Sequence, residues 1–114
     1  MSPARVVFMG SPEFAVPSLE EMAARHTVCL VVTQPDRPAG RGQELEPTAV
    51  RRAATDRGLA ICTYERGQRA ALEARLASLA PDLLVVVAFG HILKPSTLAL
   101  ARCGALNVHA SLLP

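Results

Sequence analysis

The 114-residue chain has no Trp, one Tyr and three Phe, so any core it forms must be built from aliphatic side chains. Half of its residues are hydrophobic, which excludes an intrinsically disordered chain. It lacks the length for two ordinary domains, and we expect a single domain or a piece of one. Lys is almost absent, but eleven Arg and one Lys against ten acidic residues leave a net charge of only +2. This balance permits an RNA partner without requiring one.

Cysteines are few and odd in number, and C-x-x-C spacing is absent. Neither a disulfide framework nor a metal site is predicted, and we expect Cys29, Cys62 and Cys103 to be reduced, inert core thiols. Long apolar runs are lacking too, because Gly10 and Ser11 interrupt the first run after a few residues. The sequence therefore predicts neither a secretory signal nor a membrane span, and a cytoplasmic location is the simplest expectation.

Short aliphatic runs alternate with segments of helical spacing. Five runs rich in Val, Leu and Ile predict strands over residues 6–9, 28–33, 59–63, 83–88 and 105–109. Helices are predicted over residues 14–24, 47–57 and 70–80. Strands that are apolar on both faces and alternate with helices predict an α/β fold, a doubly wound, Rossmann-like parallel sheet. Its most economical strand order is 3-2-1-4-5.

In that order the chain reverses direction across the sheet between its first and fourth strands. Open α/β sheets bind ligands beyond the carboxyl ends of the strands at such a switch point. We therefore expect residues 10–14, 88–91 and 107–111, which follow the first, fourth and fifth strands, to line one crevice. Residues 33–46, rich in Pro and Gly, predict a long loop that leaves the same edge.

The first turn reads G-S-P-E-F from Gly10 to Phe14. It lacks the second and third glycines of a dinucleotide-binding turn, which argues against NAD. The simplest interpretation is that Ser11 caps a helical turn with Pro12 at its first position. Pro17 would interrupt a helix that began there, so a brief 3₁₀ turn is expected before the helix.

Asn107 and His109 are two residues apart on a predicted strand, so their side chains share one face. A neutral His accepts a proton near physiological pH, and an Asn amide can donate to a developing oxyanion. The pair therefore suits acyl transfer to an amine. Taken alone, such a pair is more often a cap or a satisfied core group. His26, before the second strand, is interpreted as a surface residue, and no chemistry is assigned to His91.

Three segments resemble the formyltransferases that use 10-formyltetrahydrofolate. They read G-S-P-E-F, V-V-A-F-G-H-I-L from Val86 to Leu93, and N-V-H-A-S-L-L-P from Asn107 to Pro114. The loop T-Q-P-D-R-P-A-G-R-G from Thr33 to Gly42 resembles methionyl-tRNA formyltransferases in particular. Formyltransferases that act on a purine precursor or a nucleotide sugar are not expected to carry this loop. The resemblance covers essentially the whole chain.

The resemblance implies transfer of a formyl group from 10-formyltetrahydrofolate to methionyl initiator tRNA, without a metal. It implies that Asn107 and His109 are catalytic. It also implies three binding regions, around the methionyl group, the folate and the tRNA. The corresponding residues are Gly10, Ser11, Pro12 and Phe14 for the methionyl group; Phe89, Gly90, Ser111, Leu112, Leu113 and Pro114 for the folate; and Arg37, Gly40, Arg41 and Gly42 for the tRNA.

In methionyl-tRNA formyltransferases an aspartate further along the chain orients the catalytic His, and a C-terminal domain grips the tRNA. The resemblance therefore implies that residues 1–114 are the N-terminal portion of a catalytic domain and are inactive alone. Because the fifth strand would lack its later neighbours, we expect either marginal stability or self-association through an open sheet edge. Two alternatives remain. One is a noncatalytic folate-binding module, and the other is a sugar-nucleotide formyltransferase.

Overall fold

A computed structural model of the protein describes residues 3–108. Its main sheet has five parallel strands, which are β1 Arg5–Gly10, β2 Thr27–Thr33, β5 Ile61–Thr63, β6 Leu83–Val87 and β7 Ala105–Val108. Two further short strands, β3 Arg37–Ala39 and β4 Glu44–Glu46, form a separate hairpin. The order across the main sheet is β5-β2-β1-β6-β7, which confirms the predicted order 3-2-1-4-5 of its five strands.

Three predicted helices are present, together with a short one that the sequence pattern did not predict. They are α1 Val16–Arg25, α2 Ala49–Asp56, α3 Arg69–Leu79 and the additional α4 Pro95–Leu98. The expected 3₁₀ turn, Glu13–Ala15, precedes α1. Pro17 lies in the first turn of α1, where its missing N–H leaves no helical hydrogen bond unmade. Within residues 3–108, none of these helices has the length and apolar character to cross a membrane.

The sheet is covered on both faces, as expected for parallel strands. On one face Leu72 and Leu76 of α3 pack over the alternate strand residues Val7 and Met9. On the other face α1 and α2 pack over Val6, Phe8 and their neighbours. The alternation follows from the strand period of two residues, and it leaves the carboxyl ends of the strands open between the helices.

The segment that was predicted to be a long loop contains an antiparallel hairpin. Its strands are β3 Arg37–Ala39 and β4 Glu44–Glu46. The turn between them uses positive φ at Gly40, Gly42 and Gln43. Hydrophobic periodicity gave no signal because Leu45 is the hairpin's one large apolar residue and is 67% exposed. The location was nevertheless predicted correctly, since the segment leaves the carboxyl end of β2.

Two predictions for individual residues are wrong. Cys103 is exposed and is therefore not a core thiol, whereas Cys29 and Cys62 are half-buried. Ser11 does not cap a helical turn: the residue at that position is Pro12, and no side chain bonds to the turn. The Ser11 hydroxyl is instead drawn into the sheet edge, because the buried end of β2 presents polar groups to it. His26 is half-buried, and its Nδ1 accepts a hydrogen bond from the Ala4 N–H at 3.0 Å.

Candidate active site

The switch point of the sheet lies between β1 and β6, where the two strands approach closely. In the parallel register Gly10 is paired with Val87, and Val87 with Val108, so the three strands end at one level. A Cβ added at Gly10 would lie 2.6 Å from the Val87 carbonyl oxygen. Only a glycine fits there. The turns after β1 and β6 are thereby brought side by side, as predicted.

Beneath the first turn lies a chain of hydroxyl groups. Thr33 is fully buried at the end of β2, and its Oγ1 donates to Ser11 Oγ at 3.3 Å and lies 2.6 Å from Thr48 Oγ1. Thr48 Oγ1 in turn accepts from the Arg51 N–H at the start of α2. These bonds satisfy polar groups that burial would otherwise penalise. They also connect β1, β2 and α2 at the edge of the crevice.

Gln34 extends this network towards β6. Its N–H donates to Ser11 Oγ at 3.1 Å, and its side-chain Nε2 donates to the Phe89 carbonyl oxygen at 2.9 Å. The other amide atom, Oε1, accepts from the Arg37 guanidinium in the hairpin. A single half-buried side chain therefore contacts both the turn after β6 and the hairpin. Sequence reasoning did not single out Gln34.

The turn after β6 has an unusual backbone. Ala88 and Gly90 both have positive φ, at 50° and 90°, on either side of Phe89. The Phe89 ring is buried, with its centroid 5.7 Å from that of Tyr64 and 5.2 Å from that of His91. His91 also meets Tyr64 edge-on, with centroids 5.0 Å apart. This aromatic group holds the turn against the core.

A cavity of about 500 Å³ opens beside this turn, which is within the usual range for small-molecule sites. Its lining is mostly apolar, and Ile92 in its wall is 97% exposed. Asn107 is the polar side chain that β7 contributes. The described residues that line the cavity are Val86, Ala88, Phe89, Gly90, His91, Ile92, Leu93, Leu98, Ala105, Asn107 and Val108.

Asn107 pairs with Val86 in the register of β6 and β7, on the sheet face covered by α3. Its side chain is exposed, so it is available to a ligand in the crevice. The predicted partner His109 lies outside the described residues, as do the predicted folate-binding residues. These are Ser111, Leu112, Leu113 and Pro114.

The residues predicted to border the methionyl group are placed around the first turn with different exposures. Gly10 and Ser11 are buried, and so a ligand could reach little more than their backbone. Pro12 is exposed, and the Phe14 ring is 49% exposed, which is unusual for a large aromatic side chain. Phe14 therefore offers apolar surface at the rim.

The hairpin carries two arginines, Arg37 and Arg41, which are balanced by the two glutamates of β4. Asp36 at its base is tied to Arg51 of α2, with 2.9 Å between the carboxylate and the guanidinium. The Arg37 guanidinium donates a hydrogen bond to Gln34 Oε1. Arg41 is exposed and forms no ion pair or side-chain hydrogen bond with any residue between 3 and 108. Gly40 and Gly42 flank Arg41 and let the turn present it.

Clear pKa shifts occur on groups away from the crevice. The Thr97 and Ser96 hydroxyls donate to Glu73 and lower the pKa of that carboxyl. The Arg5 N–H and the Arg102 guanidinium lower the pKa of Asp82, at the amino end of β6. Both carboxylates join structural elements, and we assign them no chemistry.

Comparison with known proteins agrees with the resemblance seen in the sequence. The family described as formyl transferase matches residues 4–114, nearly the whole chain. The chain belongs to the formyl transferase family. The methionyl-tRNA formyltransferase of Stenotrophomonas maltophilia (strain K279a) is 52% identical over 110 residues, covering 96% of this chain and 36% of that protein. That of Methylococcus capsulatus is 48% identical over 111 residues.

This formyl transferase chain thus spans about a third of the length of the curated relatives it matches. Solved structures share its fold. Phosphoribosylglycinamide formyltransferase from Streptococcus pneumoniae TIGR4 superposes with a TM-score of 0.70 at 19% identity, covering 97% of this chain and 59% of that one. The enzyme of that name from Bacillus halodurans gives 0.66 at 18% identity, covering 96% and 58%. At such identities the likeness concerns the fold alone.

Sequence reasoning missed the polar network of Thr33, Gln34 and Thr48 and the aromatic contacts of Tyr64. A usable signal existed for the network, because Thr33 and Gln34 directly follow a buried strand beside the switch point. No such signal marks Tyr64. It directly follows β5, and its contact with Phe89 is revealed only by the tertiary arrangement.

Proposed function

We propose that this protein acts in the cytoplasm, in transfer of a formyl group from 10-formyltetrahydrofolate to the α-amino group of methionyl initiator tRNA. The observation that carries the proposal is the segment T-Q-P-D-R-P-A-G-R-G, which Gln34 joins to Phe89 in the wall of the cavity that also contains Asn107. The names of the relatives near 50% identity support the same acceptor. The likeness to purine-pathway enzymes is one of fold and does not favour their acceptor.

The chemistry requires the methionyl amine to attack the formyl carbon and to lose a proton. In our proposal His109 accepts that proton, and Asn107 donates a hydrogen bond to the oxygen that becomes negative in the tetrahedral intermediate. Collapse of the intermediate breaks its bond to N10 of the folate, which takes up a proton and leaves as tetrahydrofolate. The exposed Asn107 amide at the end of β7 is suited to the oxyanion role.

We propose that the folate occupies the cavity beside the turn after β6, with Phe89 and Gly90 on one side. We further propose that Ser111, Leu112, Leu113 and Pro114 contribute to folate binding. The Phe89 ring is buried and Gly90 has no side chain, so the backbone of both residues is open to a ligand beside the apolar side chains of Ile92 and Leu93. Apolar walls with a few polar groups suit a flat heterocyclic ligand.

For the tRNA, we propose that the hairpin contacts the acceptor end through Arg37 and Arg41. A phosphate backbone attracts guanidinium groups. Arg41 can present all of its N–H donors, whereas Arg37 keeps one nitrogen on Gln34 and presents the others. Arg41 should therefore contribute more than Arg37. The methionyl group would border Gly10, Ser11, Pro12 and Phe14, with the exposed Phe14 ring as its apolar contact.

The deciding experiment is formylation of methionyl initiator tRNA by the longest product of the gene, compared with its His109→Ala and Asn107→Ala variants. We expect turnover by the unaltered protein and losses of about 10²-fold or more in kcat in each variant. His26→Ala is the matched control, because His26 lies at the amino end of β2 and makes a structural bond. It should retain activity.

Two results would point elsewhere. Folate binding without turnover on any amine acceptor would indicate a noncatalytic binding module. Turnover on a uridine-nucleotide amino sugar but not on tRNA would indicate a sugar-nucleotide formyltransferase. Either result would refute the proposal as stated.

A further inference from the structure

Among residues 3–108, Gln34 is the one whose side chain forms hydrogen bonds with both the hairpin and the turn after β6. Its Nε2 donates to the Phe89 carbonyl oxygen at 2.9 Å, across 55 positions of sequence. Its Oε1 accepts from the Arg37 guanidinium. Its main-chain N–H is bonded to Ser11 Oγ, which anchors the residue to β1.

The orientation of the Gln34 amide is determined by these partners. A carbonyl oxygen can only accept and a guanidinium can only donate, so rotating the amide by 180° would oppose donor to donor and acceptor to acceptor. Both bonds are therefore made together in one rotamer. If either Arg37 or Phe89 moves away, the Gln34 amide keeps only one of its two bonds and is held less firmly against the remaining partner.

Gly90 is fitted to the same side chain. A Cβ added at Gly90 would lie 2.2 Å from Gln34 Nε2, closer than any real contact. The turn after β6 and the Gln34 amide consequently pack without room for a further atom between them.

We propose that Gln34 is a positioning residue that couples the arginine hairpin to the Ala88–Gly90 turn, so that occupancy of one site strengthens binding at the other. This inference rests on the proposed function, which assigns tRNA to the hairpin and folate to the turn. Coupling between two ligands is reciprocal. Folate should raise the affinity for tRNA, and tRNA should raise the affinity for folate by the same factor. Both effects should depend on the Gln34 amide.

The test is calorimetric titration of the longest gene product with tetrahydrofolate, in the absence and presence of saturating methionyl initiator tRNA. Tetrahydrofolate carries no formyl group, so no turnover disturbs the equilibrium. We expect the tRNA to tighten tetrahydrofolate binding about 5-fold or more in the unaltered protein. Gln34→Met retains the length of the side chain and removes both polar atoms, and it should reduce the factor to about 1.

Two further variants separate coupling from general damage. Gln34→Glu can still accept from Arg37 but, when ionised, cannot donate to the Phe89 carbonyl, and it too should lose the coupling. It also replaces Gln34→Met if the latter does not fold. Gln68→Met is the matched control, because the Gln68 side chain caps a turn before α3, and it should preserve the factor. A coupling factor that survives in both Gln34 variants would overturn the proposal.

Amide hydrogen exchange without ligands distinguishes failure of the coupling from failure of the proposed function. If Gln34 joins the two segments, Gln34→Met should speed exchange in the hairpin, residues 37–46, and also in residues 88–91. If the protein binds neither ligand, the proposed function is wrong, and the exchange data still test whether Gln34 couples the segments. Faster exchange in neither segment, or in only one, would refute the coupling.

Discussion

Replacing Gly10 with Ala should destabilise the fold because the added Cβ has no space. It would lie 2.6 Å from the Val87 carbonyl oxygen and 3.1 Å from both Ala15 Cβ and Phe8 Cε1. Real Cβ contacts stay beyond 3.0 Å, so at least 0.4 Å (3.0 − 2.6) must be gained. The obstacle is a strand backbone and cannot rotate away.

The magnitude follows from two opposed effects. Overpacking in a closely packed interior costs about 1–3 kcal/mol. Ala also restricts the unfolded chain more than Gly does. This raises the free energy of unfolding by about 0.4–1 kcal/mol where the folded backbone conformation suits Ala. Gly10 has no positive φ, so this gain applies. We expect a net loss of about 1–2 kcal/mol in the free energy of unfolding.

Urea unfolding followed by far-UV circular dichroism measures this loss, since the chain has no Trp to report by fluorescence. Gly58→Asn is the control: Gly58 has φ +70° with open space around it, and Asn adopts that conformation readily. Its effect should stay within about 0.5 kcal/mol. If Gly10→Ala unfolds at the same urea concentration as the unaltered protein, or higher, the close approach of β1 to β6 does not constrain the site as argued.

Three further substitutions test other parts of the fold. Asp82→Asn should lower the free energy of unfolding at neutral pH and should matter less as the pH falls below about 4. The reason is that the Arg5 N–H lowers the pKa of Asp82, so the stabilising contribution of this carboxylate is lost when it is protonated. If this is wrong, the difference in urea midpoint between the variant and the unaltered protein will be the same at neutral pH and below about pH 4. Thr48→Ala removes the hydrogen bond to the Arg51 N–H and should lower the free energy of unfolding in urea by about 1 kcal/mol. An unchanged value would show that Thr48 does not stabilise α2 as its cap. Leu76→Ala, at a fully buried site on α3, should cost about 2–5 kcal/mol in the same assay, and a loss below about 1 kcal/mol would contradict its place in the core.

The meeting of the turns after β1 and β6 was predictable because it depends on strand order more than on side-chain detail. The cavity itself lies beside β6 and β7, and none of residues 10–14 lines it. Aliphatic runs identified the strands, and the right-handed crossover rule placed β1 beside β6. The segments after those two strands therefore had to meet. The register confirms that Gly10, Val87 and Val108 end at one level. The position of Asn107 near the end of β7 follows from the same reasoning, and the catalytic roles of Asn107 and His109 both remain predictions.

The contacts within the crevice were not predictable in this way. Ser11 looked like a helix cap because local sequence favours that use, but the buried hydroxyl of Thr33 and the N–H of Gln34 bind it instead. The hairpin of residues 37–46 lacks an apolar pattern, and its turn chemistry alone did not reveal it. Local propensity was overridden by groups that are distant in sequence.

The sequence by itself determined the class of fold, the order of the strands and the region of the site, since all three follow from hydrophobic periodicity and chain handedness. Tertiary structure alone decided which polar groups meet there. Gln34 and Phe89 are 55 residues apart in sequence. They can form a hydrogen bond because Gln34 follows β2 and Phe89 follows β6, and both strands pair with β1. Periodicity carries information on which face is buried, but hydrogen-bond partners across a sheet depend on distances that no local pattern encodes.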